Sequence, residues 1–507
     1  MATNISKVDG VNVPLTYSSY TVSGTTYYNA RIKRPTGYPF LNTVTLDDNM
    51  NNMFNTLSAL NDNVDYIFSL FKFTNKCKSM DSAFRGCKNL LGVPYFPEPV
   101  INIPYAYYAC ESITGTPDFG NVNKGYNRAE YAFFNCKNLT NGVVTKVNNA
   151  FSMYQGCNNM TDIEIYPWCS GANYSSLCAY DESLRNVIFK GSSQDRYNIV
   201  YFSDAFRACY ELKNIIIEDN NYLFPNSGVF LNNVFRDCFG ITELNLERLF
   251  PNPNTYSEDT TFFSRCDNAF TGCPNATGNL LNFFAPVRNL TESPYNRVVM
   301  YMNSAFAGSK VGIPVGSSIP YNPTEGTMNN AEYYCEYAFY GCENYKGNPW
   351  VPWGKANTMS GISPNTYLSS MYEDCSNLTG NPCILIPYGN FSHFCVKNIF
   401  KNTPIKDATI KGTFWPSAFP AIQFNFYGML NKPNNDYSGT TIYFLSKDGN
   451  IQNTALKYFV NEESIPNQYF RNNCNLQIFG MPLTYTAVNS YYYRNTQYNI
   501  VLKAVTQ

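Results

Sequence analysis

Histidine is nearly absent from this chain of 507 residues, and only 14% of its residues are charged. The single histidine, His393, stands in the run NFSHFC, outside any motif in which histidine acts as a base or a zinc ligand. Paired carboxylates could still hydrolyse a glycan, but Glu98, Asp118, Glu243 and Asp259 occupy no pattern that separates them from surface acids. The sequence therefore favours a non-enzymatic protein without cofactor or metal.

An excess of positive charge and a long apolar run are also missing. The 36 basic residues balance 37 acidic ones, which leaves no electrostatic footprint for nucleic acid. No stretch approaches the length of a membrane span, and residues 1–7 lack the cationic start and apolar stretch of a signal peptide. We predict no nucleic-acid partner, no membrane insertion and, as the simplest route out of the cell, assembly into a virion released by lysis.

A recurring phrase dominates the remainder of the chain. It reads AFRGCKNL at 83–90, AFFNCKNLT at 132–140 and AFYGCENY at 338–345. Self-similarity on this scale predicts a stacked repeat protein. The central residue, here called the anchor, recurs thirteen times at gaps of 21 to 36 residues; the anchors are Phe84, Tyr107, Phe133, Tyr154, a degenerate Cys178, Phe206, Phe235, Phe270, Phe306, Phe339, Tyr372, Phe400 and Phe426.

Each repeat begins with apolar residues at helical spacing. Met80, Ala83, Phe84, Cys87 and Leu90 follow one another at intervals of 3, 1, 3 and 3, which predicts a short helix. A turn and a brief β-prone run follow, such as residues 187–189. The expected fold class is an α/β solenoid over residues 77–430, a leucine-rich-repeat-like coil with one short helix and one short strand per repeat.

The phrase resembles the BspA-like leucine-rich repeat, whose units carry Ala-Phe-x-x-Cys-x-x-Leu before a short strand. Ten of the thirteen anchors keep an aromatic residue with cysteine or serine three residues later. The resemblance implies a surface or virion protein used for attachment, as in bacterial adhesins and phage appendages of this repeat class. The chain departs from the family in its long units between Phe235 and Tyr372 and in its lack of an export signal.

The 17 cysteines follow the repeat rather than a metal or disulfide pattern. Nine of them stand three residues after an anchor, where a small apolar side chain suits a stacked core. Close Cys-x-x-Cys pairs, which zinc sites require, do not occur. We expect buried cysteines with a structural role.

Residues 46–76 carry a heptad pattern. Eight apolar residues alternate at intervals of 4 and 3, which predicts a helix capped by Thr45 that forms either a coiled coil or an N-terminal cap on the first repeat. In the coiled-coil interpretation the chain is a homo-oligomer, and a trimer is slightly favoured. The expected oligomerisation residues are Leu46, Met50, Met53, Leu57, Leu60, Val64, Ile67 and Phe71.

The two ends of the chain differ from the repeats. Residues 1–45 are rich in Thr, Tyr and Asn with strand-like runs, and they predict a small β-rich docking arm that binds other virion proteins. Residues 431–507 are β-prone and predict a C-terminal cap, because the last repeat would otherwise expose its apolar face. A second receptor domain at this end is the alternative.

The longest repeats contain aromatic insertions, which in stacked repeats collect on one edge. Tyr256, Tyr295, Tyr321, Trp350 and Trp353 are the expected receptor-binding residues, suited to a host-surface glycan or protein. In the alternative interpretation they merely cover the edge. Replacing both tryptophans by alanine should weaken host-cell binding and leave folding intact.

These patterns together predict a non-enzymatic virion protein, a phage tail or head fibre or spike that presents its surface for host receptor binding. Two alternatives stay open. One is a cell-surface adhesin of a bacterium or protist, and the other is a polysaccharide-depolymerising tail spike. The expected location is an exposed virion appendage, or else a cell surface.

Overall fold

The computed structural model of the chain describes residues 16–22, 25–31, 44–46, 48–69, 71–121, 124–166, 171–190, 200–218, 229–249, 262–281, 298–317, 331–352, 365–386, 393–412, 423–425, 429–430, 441–446, 483–493 and 496–504. The chain divides into two compact units. Unit 1 comprises Met1–Leu223 and Asp237–Ile241, and unit 2 comprises Phe224–Arg236 and Thr242–Gln507. Both units consist of short strands joined by turns.

Unit 1 contains ten strands and one short helix within its described residues. They are β1 Thr16–Val22, β2 Thr25–Arg31, β3 Val44–Leu46, α1 Val64–Ser69, β4 Phe71–Phe73, β5 Asn141–Val144, β6 Asp162–Ile165, β7 Ala172–Asn173, β8 Asn186–Phe189, β9 Val200–Tyr201 and β10 Asn214–Ile217. Strands β1 and β2 form an antiparallel hairpin in the predicted docking arm. The other pairs are parallel: β3 with β4, β7 with β9, and a sheet of order β10-β8-β6-β5.

Unit 2 contains the remaining described elements. They are β11 Val229–Phe230, α2 Leu246–Leu249, β12 Phe262–Arg265, β13 Thr277–Asn279, β14 Val298–Tyr301, β15 Lys310–Gly312, β16 Ala331–Tyr334, β17 Asn365–Tyr367, β18 Cys383–Ile386, β19 His393–Cys395, β20 Asp407–Gly412, β21 Gln423–Asn425, β22 Thr441–Ser446, β23 Leu483–Tyr493 and β24 Thr496–Ala504. Strands β11, β12, β14, β16, β17, β19 and β21 pair in this order, and β12 to β21 are parallel neighbours in register. Strands β18, β20 and β22 are also parallel, and the hairpin β23–β24 ends that sheet by antiparallel pairing.

The predicted helix of each repeat is wrong. The six residues from three before to two after the anchor, here called the turn segment, form consecutive turns instead. In the segment around Phe84, Ser82 and Gly86 have φ of 55° and 75°, values that an α-helix does not contain. The Phe84 amide donates to the carbonyl of Ala106 in the next repeat, at 2.8 Å, rather than to a carbonyl four residues earlier. The fold is therefore a stack of strand-and-turn coils, not an α/β solenoid with a helix per repeat.

The error has a simple physical cause. Alternate amides of the turn segment bond to the next coil, while the amides between them bond three residues back, as Ala83 does to Met80 at 3.0 Å and Cys87 to Phe84 at 3.0 Å. Successive turns of this kind bring apolar side chains inward at intervals of three and four residues. This spacing is the same as that of a helical stripe, so hydrophobic periodicity alone does not separate the two.

The predicted coiled-coil helix over residues 46–76 is also wrong. This stretch contains strand β3, a turn segment, helix α1 of six residues and strand β4. Phe54 is an additional anchor, because Asn52 and Thr56 on either side of it have φ of 57° and 62°. Its ring stacks on the Phe84 ring with a centroid distance of 5.1 Å. The residues with heptad spacing thus form the first coil of the stack. The described part of residues 46–76 contains no long helix that could form the predicted trimer.

The core of each unit contains a column of stacked anchor rings. In unit 1, Phe84, Tyr107, Phe133 and Tyr154 follow one another with centroid distances of 5.2, 5.6 and 5.1 Å and nearly parallel planes. In unit 2 the column runs from Phe235 to Phe400 with distances of 5.2 to 5.9 Å. Each stacked pair contributes about 0.5–1.5 kcal/mol beyond the burial of its area. Phe426, the last predicted anchor, lies outside the described residues.

Candidate functional site

The turn segments decide which side chains face outward. The anchor and the residue before it are buried, as Tyr107 and Ala106 are, whereas Tyr105 and Tyr108 on either side are only half-buried. Equivalent residues of successive coils therefore form columns on the outer face of the turns. Two of these columns contain Tyr105, Tyr108, Tyr131 and Phe134; one stands two residues before the anchor and the other directly after it.

Five aromatic rings meet on this face in unit 1. They form the aromatic patch: Tyr105, Tyr108, Tyr131, Phe134 and Phe151. Tyr105 stacks on Tyr131 with a centroid distance of 4.9 Å, and Tyr108 stacks on Phe134 at 5.0 Å. Phe151 meets the edge of Tyr131 at 5.3 Å. Burial raises the pKa of the Tyr131 hydroxyl, which therefore stays protonated at neutral pH.

An exposed arginine closes one end of the patch. The Arg85 guanidinium lies 5.4 Å from the centroid of Tyr105 and 5.2 Å from that of Tyr108, and thus covers one face of both rings. Arg85 forms no ion pair with any residue that the structure describes. The rings orient the guanidinium, which leaves its N–H groups able to bind an acceptor.

Charged residues stand close to the patch residues along the chain. Glu111 forms ion pairs with Lys88 and Lys137, at 3.0 and 3.1 Å, and the hydrogen bonds from these two lysines lower the pKa of its carboxyl. On another side, Arg128 donates from Nε to Glu130 at 2.7 Å, and this partner raises the arginine pKa. An aromatic centre inside a polar rim is the usual composition of a protein interface.

A second row of aromatic residues lies on the sheet of unit 2. Tyr301, Tyr334 and Tyr367 occupy equivalent positions of β14, β16 and β17, and their rings stack with centroid distances of 4.6 and 5.6 Å. The Tyr334 hydroxyl donates to Glu332 Oε2 at 3.1 Å and accepts from Asn365 Nδ2 at 3.3 Å. Burial raises the pKa of this hydroxyl, which therefore remains a donor at neutral pH.

The predicted receptor-binding residues are placed only in part. Trp350 is buried, with its ring edge-on to Tyr333 at 6.2 Å, and its carbonyl accepts a hydrogen bond of 2.7 Å from the Tyr372 hydroxyl. It therefore belongs to the core. The other four lie outside the described residues, in the segments 250–261, 282–297, 318–330 and 353–364; they are Tyr256, Tyr295, Tyr321 and Trp353. In the sequence, each segment directly precedes a strand of one parallel sheet: β12, β14, β16 or β17.

Most of the predicted oligomerisation residues pack inside the chain. The residues with buried side chains are Leu46, Met50, Leu57, Val64, Ile67 and Phe71. Met53 and Leu60 are half-buried. The structure distributes all eight over β3, the first turn segment, α1 and β4 rather than along one helix. They do not form a continuous seam for a second chain.

The nine repeat cysteines form a buried row, the thiol ladder, in which each thiol donates to the anchor carbonyl of the preceding coil. The Sγ to oxygen distances run from 2.9 to 3.2 Å for Cys87, Cys110, Cys136, Cys157, Cys209, Cys238, Cys273, Cys342 and Cys375. Burial raises the thiol pKa of seven of them, to about 12 for Cys87; the other six are Cys110, Cys136, Cys157, Cys209, Cys342 and Cys375. Such thiols are not nucleophiles at neutral pH, and their role is structural.

One carboxyl interrupts the thiol ladder. Asp181 stands three residues after the anchor Cys178 and is fully buried. Its Oδ1 accepts a hydrogen bond of 2.6 Å from the Cys157 amide, while Oδ2 has no hydrogen-bond partner among the described residues. Burial raises the Asp181 pKa well above its ordinary value, so the group is held in its neutral form.

Neither a metal cluster nor a membrane span is found in the described parts of the chain. They hold no group of three His, Cys, Asp or Glu side chains suited to a metal ion. The two helices within them are far too short to cross a bilayer.

The sequence prediction missed the aromatic patch. Its signal was present, because Tyr105 and Tyr131 stand two residues before their anchors and Tyr108 and Phe134 directly after theirs. The helical interpretation followed the apolar stripe of the core and did not consider these outward positions. The sign of a turn was also present, as glycine or asparagine two residues after many anchors, where φ is positive.

Comparisons with known proteins do not assign the chain to a family. No family model matches the chain, and no curated protein is significantly similar to it. Among solved structures, a chain of "Structure of the Toll - Spatzle complex, a molecular hub in Drosophila development and innate immunity" aligns with 74% of this chain at 12% identity and a TM-score of 0.19. The alignment spans 55% of that protein's chain. A TM-score this low carries no argument about fold or function.

Proposed function

We propose that the chain is a non-enzymatic attachment protein, carried on a virion as part of a tail or head fibre or spike, that binds the host surface through its outer face. The aromatic patch with its charged rim is the observation that carries the binding part. Tyrosine and arginine are the residues that most often dominate binding energy at interfaces. The virion part is supported by the repeat resemblance and by the order of a β-hairpin arm followed by a long stack of coils.

Binding is tested with two matched double variants of the fluorescently labelled chain. Tyr108→Ala with Phe134→Ala removes a stacked pair from the patch and should weaken binding to host cells about tenfold or more. Tyr210→Ala with Phe239→Ala removes another exposed stacked pair, with a centroid distance of 5.3 Å, and should leave binding unchanged. Equal binding by the patch variant and the unaltered chain would contradict the assignment of the patch.

Location is tested separately. Immunogold labelling with an antibody against the purified chain should mark appendages of virus particles in electron micrographs. Label on cell surfaces with bare particles would instead support the adhesin alternative.

A further inference from the structure

Tyr105 and Tyr108 cannot bind a ligand through their ring faces. Tyr105 lies between Arg85 and Tyr131, and Tyr108 lies between Arg85 and Phe134, with centroid distances of 4.9 to 5.4 Å. Both faces of each tyrosine ring are thus covered, and the ring edges and hydroxyls remain. Aromatic residues that hold sugars use a ring face, so this arrangement disfavours a glycan that stacks on Tyr105 or Tyr108.

The groups that remain are hydrogen-bond donors. An aromatic edge carries partial positive charge, a phenol donates its O–H, and a guanidinium donates from several N–H groups. Among the described residues, neither the Tyr105 and Tyr108 hydroxyls nor the Arg85 guanidinium has a hydrogen-bond partner. These three groups are complementary to a carboxylate, which accepts from a guanidinium through both oxygens.

Apolar surface lies directly beside these donors. Phe134 and Phe151 are half-buried members of the same patch, and the ion pairs of Glu111 and Glu130 stand close to it along the chain. A ligand that fits must therefore place a carboxylate next to apolar groups. An aspartate or glutamate with apolar neighbours, in a protein segment, has this composition.

We propose that the aromatic patch is the docking site for an acidic protein segment of the host surface. An Asp or Glu carboxylate binds the Arg85 guanidinium and the hydroxyls of Tyr105 and Tyr108, and the apolar neighbours of that residue contact Phe134 and Phe151. This inference rests on the proposed function, since it names the chemical class of the partner in attachment.

Variants at one exposed position test the carboxylate contact. Arg85→Gln should weaken binding of the full chain to host cells about tenfold to a hundredfold, and raised salt should weaken the unaltered chain as well. The matched control is Arg207→Gln, which removes an arginine that stacks on Tyr180 at 5.8 Å but already pairs with Asp204 at 3.5 Å. The control should bind normally. Unchanged binding by Arg85→Gln, with native circular dichroism in all three proteins, would overturn the proposal.

Treatment of the cells tests the class of partner. Binding should be lost after the cells are digested with proteinase K and retained after periodate oxidation of their glycans. Loss after periodate with retention after proteinase K would reject the acidic protein and leave attachment itself standing. If the unaltered chain binds neither treated nor untreated cells, the proposed function and this inference both fail.

Discussion

Replacing Asp181 by cysteine should stabilise the protein, and the gain should grow with pH. Asp181 is fully buried with one carboxyl oxygen unpartnered among the described residues, and a buried polar atom in this state costs about 1–3 kcal/mol. Cysteine is the residue of nine equivalent positions, and its thiol would donate to the Tyr154 carbonyl as the rest of the thiol ladder does. The Cys157 amide would keep its bond of 3.1 Å to the Tyr154 carbonyl.

The pH dependence follows from the raised pKa of Asp181 in the folded chain. At a pH below the pKa that Asp181 has in the unfolded chain, its carboxyl is protonated in both states and adds no pH dependence to the unfolding free energy. Above it, the unfolded chain releases the proton while the folded chain keeps it, so unfolding is favoured as pH rises, until the folded pKa is passed. Within this window the wild type loses about 1.4 kcal/mol of unfolding free energy per pH unit relative to Asp181→Cys.

Urea denaturation followed by circular dichroism measures the unfolding free energy of Asp181→Cys and of the wild type. The difference between the two should increase by about 1.4 kcal/mol from about pH 4.5 to about pH 5.5. Ser309→Cys is the matched control, because Ser309 is buried at the same ladder position and carries no carboxyl. Its effect should be independent of pH. A pH-independent gain for Asp181→Cys, or a loss of stability at both pH values, would refute the reasoning.

Three further predictions test the packing. Phe133→Ala removes a stacked core ring and should lower the unfolding free energy by about 3–5 kcal/mol, whereas Phe134→Ala on the outer face should cost about 1 kcal/mol; equal losses in urea denaturation would contradict the two assignments. Gly312→Ala would place a Cβ 2.1 Å from a backbone oxygen of the next coil and should destabilise far more than Gly125→Ala, whose Cβ would lie 4.0 Å from its nearest neighbour, the Lys146 carbonyl oxygen. Trp350→Ala should lower the melting temperature by several degrees, because the ring is buried; an unchanged melting temperature would show that the ring lies outside the core.

The repeat could be predicted from the sequence because its core positions accept few residue types. A ring must stack on the ring of the next coil, and a small thiol must reach the carbonyl above it, so few residues fit at Phe84 or Cys87. The backbone conformation between these core positions could not be predicted from hydrophobic spacing, since turns and helices share the same spacing. The positive φ of Ser82 and Gly86 is what separates these turns from a helix. Serine rarely adopts a positive φ, so its presence in the sequence does not predict one.

The aromatic patch was not predicted from the sequence, for a related reason. Insertions rich in aromatic residues predict exposed receptor-binding residues, yet Trp350 is buried. The outward columns that contain Tyr108 and Phe134 become visible only when the turn geometry is known. Their aromatic residues stand next to core anchors in the sequence, and residue type alone does not separate a ring in the core from one on the surface.

The backbone bonds between turn segments also determine how such a protein can change its length. Every coil offers its neighbour the same row of amides and carbonyls, while the number of residues per coil varies from 21 to 36. A recombination that deletes or duplicates one whole repeat within a unit would therefore leave the remaining junctions of that unit intact and change the length of its stack by about 4.8 Å, the distance between neighbouring strands. The length of such a stack can in this way change by one coil at a time, without a change in the contacts between the other coils.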